Sequence, residues 1–235
     1  MKKFYKQAAV TTLAEGYGIE LDGRAIKTPT KSDFVVPTLA LAEAISQEWQ
    51  SQGDDVDLKN MALTTFSYAS IDRVGIHRDL IIDEVTAYAA TDLLCYPAEN
   101  PQELVALQAA KWPPLLLWAK EALGVDLHVA QGIIALRQPD ASMSAARGHV
   151  AACDNFTLAG LDRLTHIMGS LVLALAVVQG HVTAEEAYEL GHIEERWQAE
   201  TWGSDEEANQ RHEARIGQAK AAEQLIRMVA VAGNN

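Results

Sequence analysis

"YGIELDGRAIKTPTKSDFVVPTLALAEAISQEWQ", residues 17–50, holds the change of period that decides the fold class. Tyr17, Ile19 and Leu21 alternate with Gly18 and Glu20, the pattern of a half-buried strand. Asp22-Gly23 follows, a pair that tolerates positive φ and so predicts a tight turn. "AIKTP" resumes extended chain as far as Pro29, and "DFVVP", residues 33–37, reads as a further short strand. At Thr38 the pattern changes. A threonine there can cap a helix, and Leu41, Ala44, Ile45 and Trp49 then recur at helical spacing, with Gly53 as a stop.

Working outward, "MALTTFSYASIDRV", residues 61–74, reads as a second helix packed on the sheet. From about residue 75 helical periodicity dominates. Pro97 ends one helix and Pro101 begins another. Pro113-Pro114 should kink or restart the helix, because proline has no N–H for the internal ladder. A linker over 125–140 carries Gly132 and Pro139. Ser142 opens a helix to about Cys153, and a longer one runs to Val178. Thr183 and Glu186 form a capping-box pattern, which predicts one helix over 183–202. A last helix covers about 205–231. The expected architecture is α+β: a small antiparallel β-rich N-terminal domain, residues 1–73, followed by an all-α domain, residues 74–235.

Composition narrows the function. The net charge of −13, from 19 basic and 32 acidic residues, repels phosphate backbones and argues against nucleic acid as a partner. Cys95 and Cys153 have neither zinc nor C-x-x-C spacing and read as reduced thiols. "MKKFYKQAAVTT" lacks the apolar segment of a secretory signal. The longest apolar run, "LVLALAVV" at 171–178, is too short to span a bilayer. The expectation is a soluble, cytoplasmic protein.

One stretch invites a catalytic reading. Glu189 and His192 spell E-x-x-H, the ligand spacing of carboxylate-bridged iron proteins. Such a site needs a second copy, and none of the other six histidines has a glutamate three residues before it. The chain also lacks H-E-x-x-H, a nucleophile elbow and a phosphate-binding glycine loop. A metalloenzyme using Glu189 and His192 is therefore the alternative, and no metal or cofactor is the expectation.

Projecting 184–202 on one helix, at roughly 100° per residue, puts Leu190, Ile193 and Trp197 on an apolar side. Glu189, His192, Arg196 and Glu200 fall opposite, on a polar and solvated side. Glu194 lies inside the apolar stripe and Glu195 at its border. A carboxylate there is either a buried, paired structural group or a polar anchor in a recognition surface. The five tryptophans, Trp49, Trp112, Trp118, Trp197 and Trp202, all sit in helical segments and serve equally as core or as interface.

Several stretches together carry a resemblance. They are "LDGRAIKTP" (21–29), "EWQSQ" (48–52), "MALTTFSYASID" (61–72), "ATDLLCYPAENPQELVALQAAKWPPLLLWA" (90–119) and "IEERWQAETWG" (193–203). In this combination the chain resembles the ATP-twelve family, assembly chaperones of the F-one sector of ATP synthase. The resemblance covers nearly the whole chain. It implies a non-enzymatic protein without cofactors that binds the unassembled alpha subunit until it pairs with beta. It implies a β-rich domain followed by a helical one. It places partner binding on Glu194, Glu195 and Gln198 of the EE-x-(W/Y)-Q motif, on Trp202 that closes it, and on Trp49. A bacterial, cytoplasmic, monomeric member is expected.

Overall fold

The computed structural model describes residues 2–130, 136–203 and 206–230. Gly132 of the expected linker lies outside the described residues. Two compact units divide the chain. The first takes residues 1–78, 155–160 and 224–235, and the second takes 79–154 and 161–223.

The first unit is built on an antiparallel sheet in the order β1 (Ala8–Leu13), β2 (Gly16–Leu21), β3 (Arg24–Ala25). The register sets Val10 against Ile19, and Glu20 against Ala25. Asp22 and Gly23 have φ of 49° and 76°, so the turn is of the type the sequence predicts. The Asp22 carboxylate accepts from the backbone N–H groups of Lys6 and Gln7, which holds its pKa below the ordinary value. Gly16 is required: at φ +144°, a Cβ there would stand 2.5 Å from the Val36 carbonyl oxygen.

Residues 33–37 do not form the expected strand. The chain doubles back through Lys31 (φ 70°), and only Asp33 and Val36 touch extended neighbours, as single bridges to Lys27 and Tyr17. A strand needs consecutive ladder pairs, and two isolated bridges do not supply them.

α1 (Leu39–Gln50) starts where the sequence places it. Thr38 Oγ1 accepts from Leu41 N at 3.2 Å and donates to the Met228 carbonyl at 3.0 Å. Its apolar face, Leu41, Ala42, Ile45 and Trp49, packs against β1 and β2 in a core with Ile19, Leu21, Val36, Met61, Leu225 and Val229. The neighbouring Glu48 caps α2 (Ala62–Ala69). Its carboxylate accepts from Leu63 N, Thr64 N and Thr64 Oγ1 at 2.8, 2.8 and 2.7 Å. The two residues of the "EW" pair thus have separate tasks, Glu48 anchoring the next helix and Trp49 filling the core. A π-turn over Ser70–Val74 leads into α3 (Gly75–Ala87).

The second unit is helical. α4 (Gln102–Leu123) runs unbroken through Pro113 and Pro114, so the helix does not restart there. The carbonyls these prolines cannot serve belong to Ala109 and Ala110, and all four residues are exposed, so water can take the place of the missing N–H. The opposite face, Leu104, Gln108, Trp112, Leu115 and Ala119, is buried. α5 (Asp140–Ala152) precedes α6 (Asn155–Met168). The long helix expected up to Val178 divides at Gly169, whose φ of +64° ends α6. α7 (Leu171–Val178) then begins at Ser170, whose Oγ accepts from Leu173 N at 3.1 Å. Residues 171–177, the apolar run, are all buried as the centre of this unit.

Asp92 is wholly buried at the start of α7, accepting from Val172 N at 3.0 Å and Leu94 N at 3.1 Å. Burial outweighs these bonds and raises its pKa to about 6. Among the described residues, no helix is long and apolar enough to cross a membrane.

Candidate functional site

The candidate site lies on α8 (Ala184–Gly191) and α9 (Ile193–Trp202), both in the second unit. α8 opens with the predicted capping box. Thr183 Oγ1 accepts from Glu186 N, and the Glu186 carboxylate accepts from Thr183 N at 2.8 Å. The expected single helix over 183–202 is not formed. His192 leaves helical geometry at φ −114°, ψ 24°, and serves as the junction of two helices. Close packing helps fix the junction there: a Cβ on Gly191 would stand 3.1 Å from the Met168 carbonyl oxygen.

The break re-sorts the faces. His192, expected in solvent, is only 6% exposed. Its ring stacks on Tyr188 with centroids 3.9 Å apart, and its Nδ1 lies 2.8 Å from the Tyr188 carbonyl oxygen. A carbonyl only accepts, so Nδ1 carries the proton and donates. Burial lowers the His192 pKa, consistent with a neutral ring. Glu189, also expected in solvent, is partly buried and ion-paired with Arg196. Glu194, expected within an apolar stripe, is exposed. The projection assumed a constant ~100° step; Leu190, Ile193 and Trp197 still share one side and Arg196 and Glu200 stay exposed as expected, so the misplaced residues are Glu189, His192 and Glu194.

The E-x-x-H spacing does not gather a ligand set. Glu189 turns to Arg196, with His212 Nε2 at 3.7 Å, while His192 turns to Tyr188. Among the described residues, no group of three His, Cys, Asp or Glu is arranged to hold a metal ion.

α9 presents a surface instead. None of its ten residues is buried. Glu194 and Glu195 occupy its first turn, where carboxylates suit the helix dipole. Glu194 Oε1 accepts from Gln198 Nε2 at 3.1 Å, and Glu195 lies 3.9 Å from Arg215. Trp197 and Trp202 meet edge to face at 5.4 Å, and Trp202 is 72% exposed. The structure therefore brings Glu194, Glu195, Gln198 and Trp202 onto one short helix. Trp49 belongs to the first unit and is 5% exposed. It packs edge to face on Tyr5, whose hydroxyl donates to the Trp49 carbonyl at 2.7 Å. Its indole lines a separate groove of about 550 Å³ with Phe4, Ile26, Leu58 and Tyr68.

Two depressions flank α9. One is polar, about 450 Å³, and lined by His166, His192, Glu195, Arg163, Arg215 and Gln218. The other is an apolar groove of about 580 Å³ floored by Leu107, Val182, Leu190, Ile193 and Trp197. Sequence reasoning missed this groove, because its far wall comes from α4, about eighty residues earlier. The break itself had a signal in Gly191, since a glycine inside a helical pattern can mark a helix end.

Comparison with known proteins agrees with this architecture. Residues 2–120 match the family model described as ATP12 chaperone protein. The mitochondrial protein atp12 of Schizosaccharomyces pombe is 27% identical over 221 residues, 89% of this chain and 76% of that one. The crystal structure of Atp12 from Paracoccus denitrificans is 35% identical and superposes with a TM-score of 0.93, covering 97% of this chain and 98% of that one. A point mutant of the same Paracoccus protein gives the same score and identity.

Proposed function

This chain belongs to the ATP12 family of assembly chaperones for ATP synthase, and from that premise we propose that it binds the unassembled alpha subunit of the F-one sector, shielding its intersubunit surface until beta displaces it. The observation that carries the reading is α9: ten residues with none buried, two carboxylates in the first turn, and a tryptophan 72% exposed at the end. A helix that contributes little to its own core yet keeps two tryptophans is built for an interface. Glu194, Glu195, Gln198 and Trp202 form the proposed contact, and Trp49 contributes through the groove it lines.

The physics fits the task. An unpaired subunit exposes apolar surface that favours aggregation, and reversible cover suffices to prevent it. The charge of −13 favours encounter with a basic surface and disfavours self-association. The proposed setting is a monomer in the bacterial cytoplasm, supported by the likeness to the Paracoccus protein. No catalytic step is assigned.

The test is capture of isolated alpha subunit by the immobilised chain. The expected result is stable retention by the wild type. Glu194→Lys with Glu195→Lys, or Trp202→Ala, should weaken capture about tenfold, equivalent to 1.4 kcal/mol, with the melting temperature unchanged. Failure of the wild type to retain soluble alpha refutes the proposal.

A further inference from the structure

We infer that the apolar groove beside α9 is a docking site for one amphipathic helix whose apolar stripe is flanked by Lys or Arg. This deepens the proposed function, on which it rests, by giving the chemistry of the partner segment.

The floor is apolar and unpartnered. Leu107 on α4 is 44% exposed there, facing a groove that Leu190, Ile193 and Trp197 complete. The groove is also preformed. Trp112 Nε1 donates to the Leu190 carbonyl at 2.9 Å, pinning α4 to the last turn of α8. A pinned wall lowers the ordering cost of binding.

The walls select the backbone of the occupant. Leu107 and Lys111 come from α4, Glu185 to Leu190 from α8, and Ile193 to Glu200 from α9. Helices present side chains and keep their own backbone groups paired. This groove therefore has no strand edge to which an extended peptide could bond. An occupant must satisfy its own N–H and C=O groups, and a helix does so.

The rim selects the charge. Glu185, Glu186, Glu189 and Glu200 stand around the groove against Lys111 and Arg196. Arg196 is engaged with both Glu189 and Glu200, and Lys220 with Glu185. Glu186 is held by Thr183 and, among the described residues, faces no cation in an ion pair. The excess of carboxylates favours a basic flank and disfavours an acidic one. A second copy of this chain, at −13, is a poor match for the same reason.

The test uses the full chain and a fluorescein-labelled peptide of about four helical turns, with Leu at i, i+3, i+4 and i+7 and Lys on both flanks. Titration by anisotropy should give saturable binding. Replacing the Lys by Glu should weaken it about tenfold or more, as should shuffling the Leu around the helix. Leu107→Glu in the chain should do the same, and Glu200→Lys should weaken binding several-fold. Leu117→Glu, at a leucine of α4 that is 53% exposed and does not line the groove, should leave peptide affinity unchanged. Equal binding of the shuffled and ordered Lys peptides, or full affinity in Leu107→Glu with its circular dichroism intact, overturns the inference. So does sedimentation showing that the wild type dimerises through this face and Leu107→Glu does not. Capture of alpha separates the two proposals. If Leu107→Glu captures alpha as the wild type does, the groove assignment fails and the chaperone reading stands. If the wild type binds peptide but never alpha, the chaperone reading fails alone.

Discussion

Asp92 offers a test in which two opposing effects have a calculable balance. Its carboxylate is fully buried and accepts N–H bonds from Val172 and Leu94 at the start of the central helix α7. The bonds favour the charged form and burial opposes it; burial wins, and the pKa rises from 3.8 to about 6. A rise of that size corresponds to roughly 3 kcal/mol between the protonated and ionised folded states. The sign follows from proton linkage. Between the unfolded and folded pKa values the native state binds more protons, so stability falls as pH increases. The contribution of Asp92 is thus intact below about pH 4, declines through pH 6 and is lost above it. Asp92→Asn removes the titration and keeps the shape. Urea unfolding of both proteins, followed by far-ultraviolet circular dichroism from pH 4 to 7.5, gives the difference in stability at each pH. That difference, wild type minus variant, should fall by roughly 2 kcal/mol or slightly more across the range, since the unfolded state is already half ionised at pH 4. A flat difference, in which the N–H bonds would balance burial, or one that grows with pH, in which they would outweigh it, refutes the reasoning.

Two further substitutions probe the supports of the interface and of the first unit. Trp112→Phe keeps an aromatic ring, though a smaller one, but orphans the Leu190 carbonyl, and should cost about 1–3 kcal/mol in urea unfolding. Glu48→Ala removes the acceptor for Leu63 N, Thr64 N and Thr64 Oγ1, and should cost a similar amount, about 1–3 kcal/mol. A loss below a few tenths of a kcal/mol in either case would show that water replaces the missing partner.

Local chemistry was legible in the amino-acid order. The alternation of Tyr17, Ile19 and Leu21, the Asp22-Gly23 turn, the Thr38 cap and the Thr183–Glu186 capping box all depend on residues a few positions apart, and each appears where it was expected. The α+β class follows from that switch of period, and the motifs that mark the family are short and contiguous for the same reason. Tertiary packing decided the rest. Solvent on one face of α4 let it pass through two prolines. The approach of Met168 to Gly191 and the burial of His192 divided what had looked like one helix. That division left Glu194 in solvent and His192 in the core. The groove that Leu107 shares with Ile193 and Trp197 exists only because α4 and α9, distant in sequence, are pressed together. Periodicity records which face of a helix is apolar; it does not record where a neighbour stops that helix or what is laid beside it.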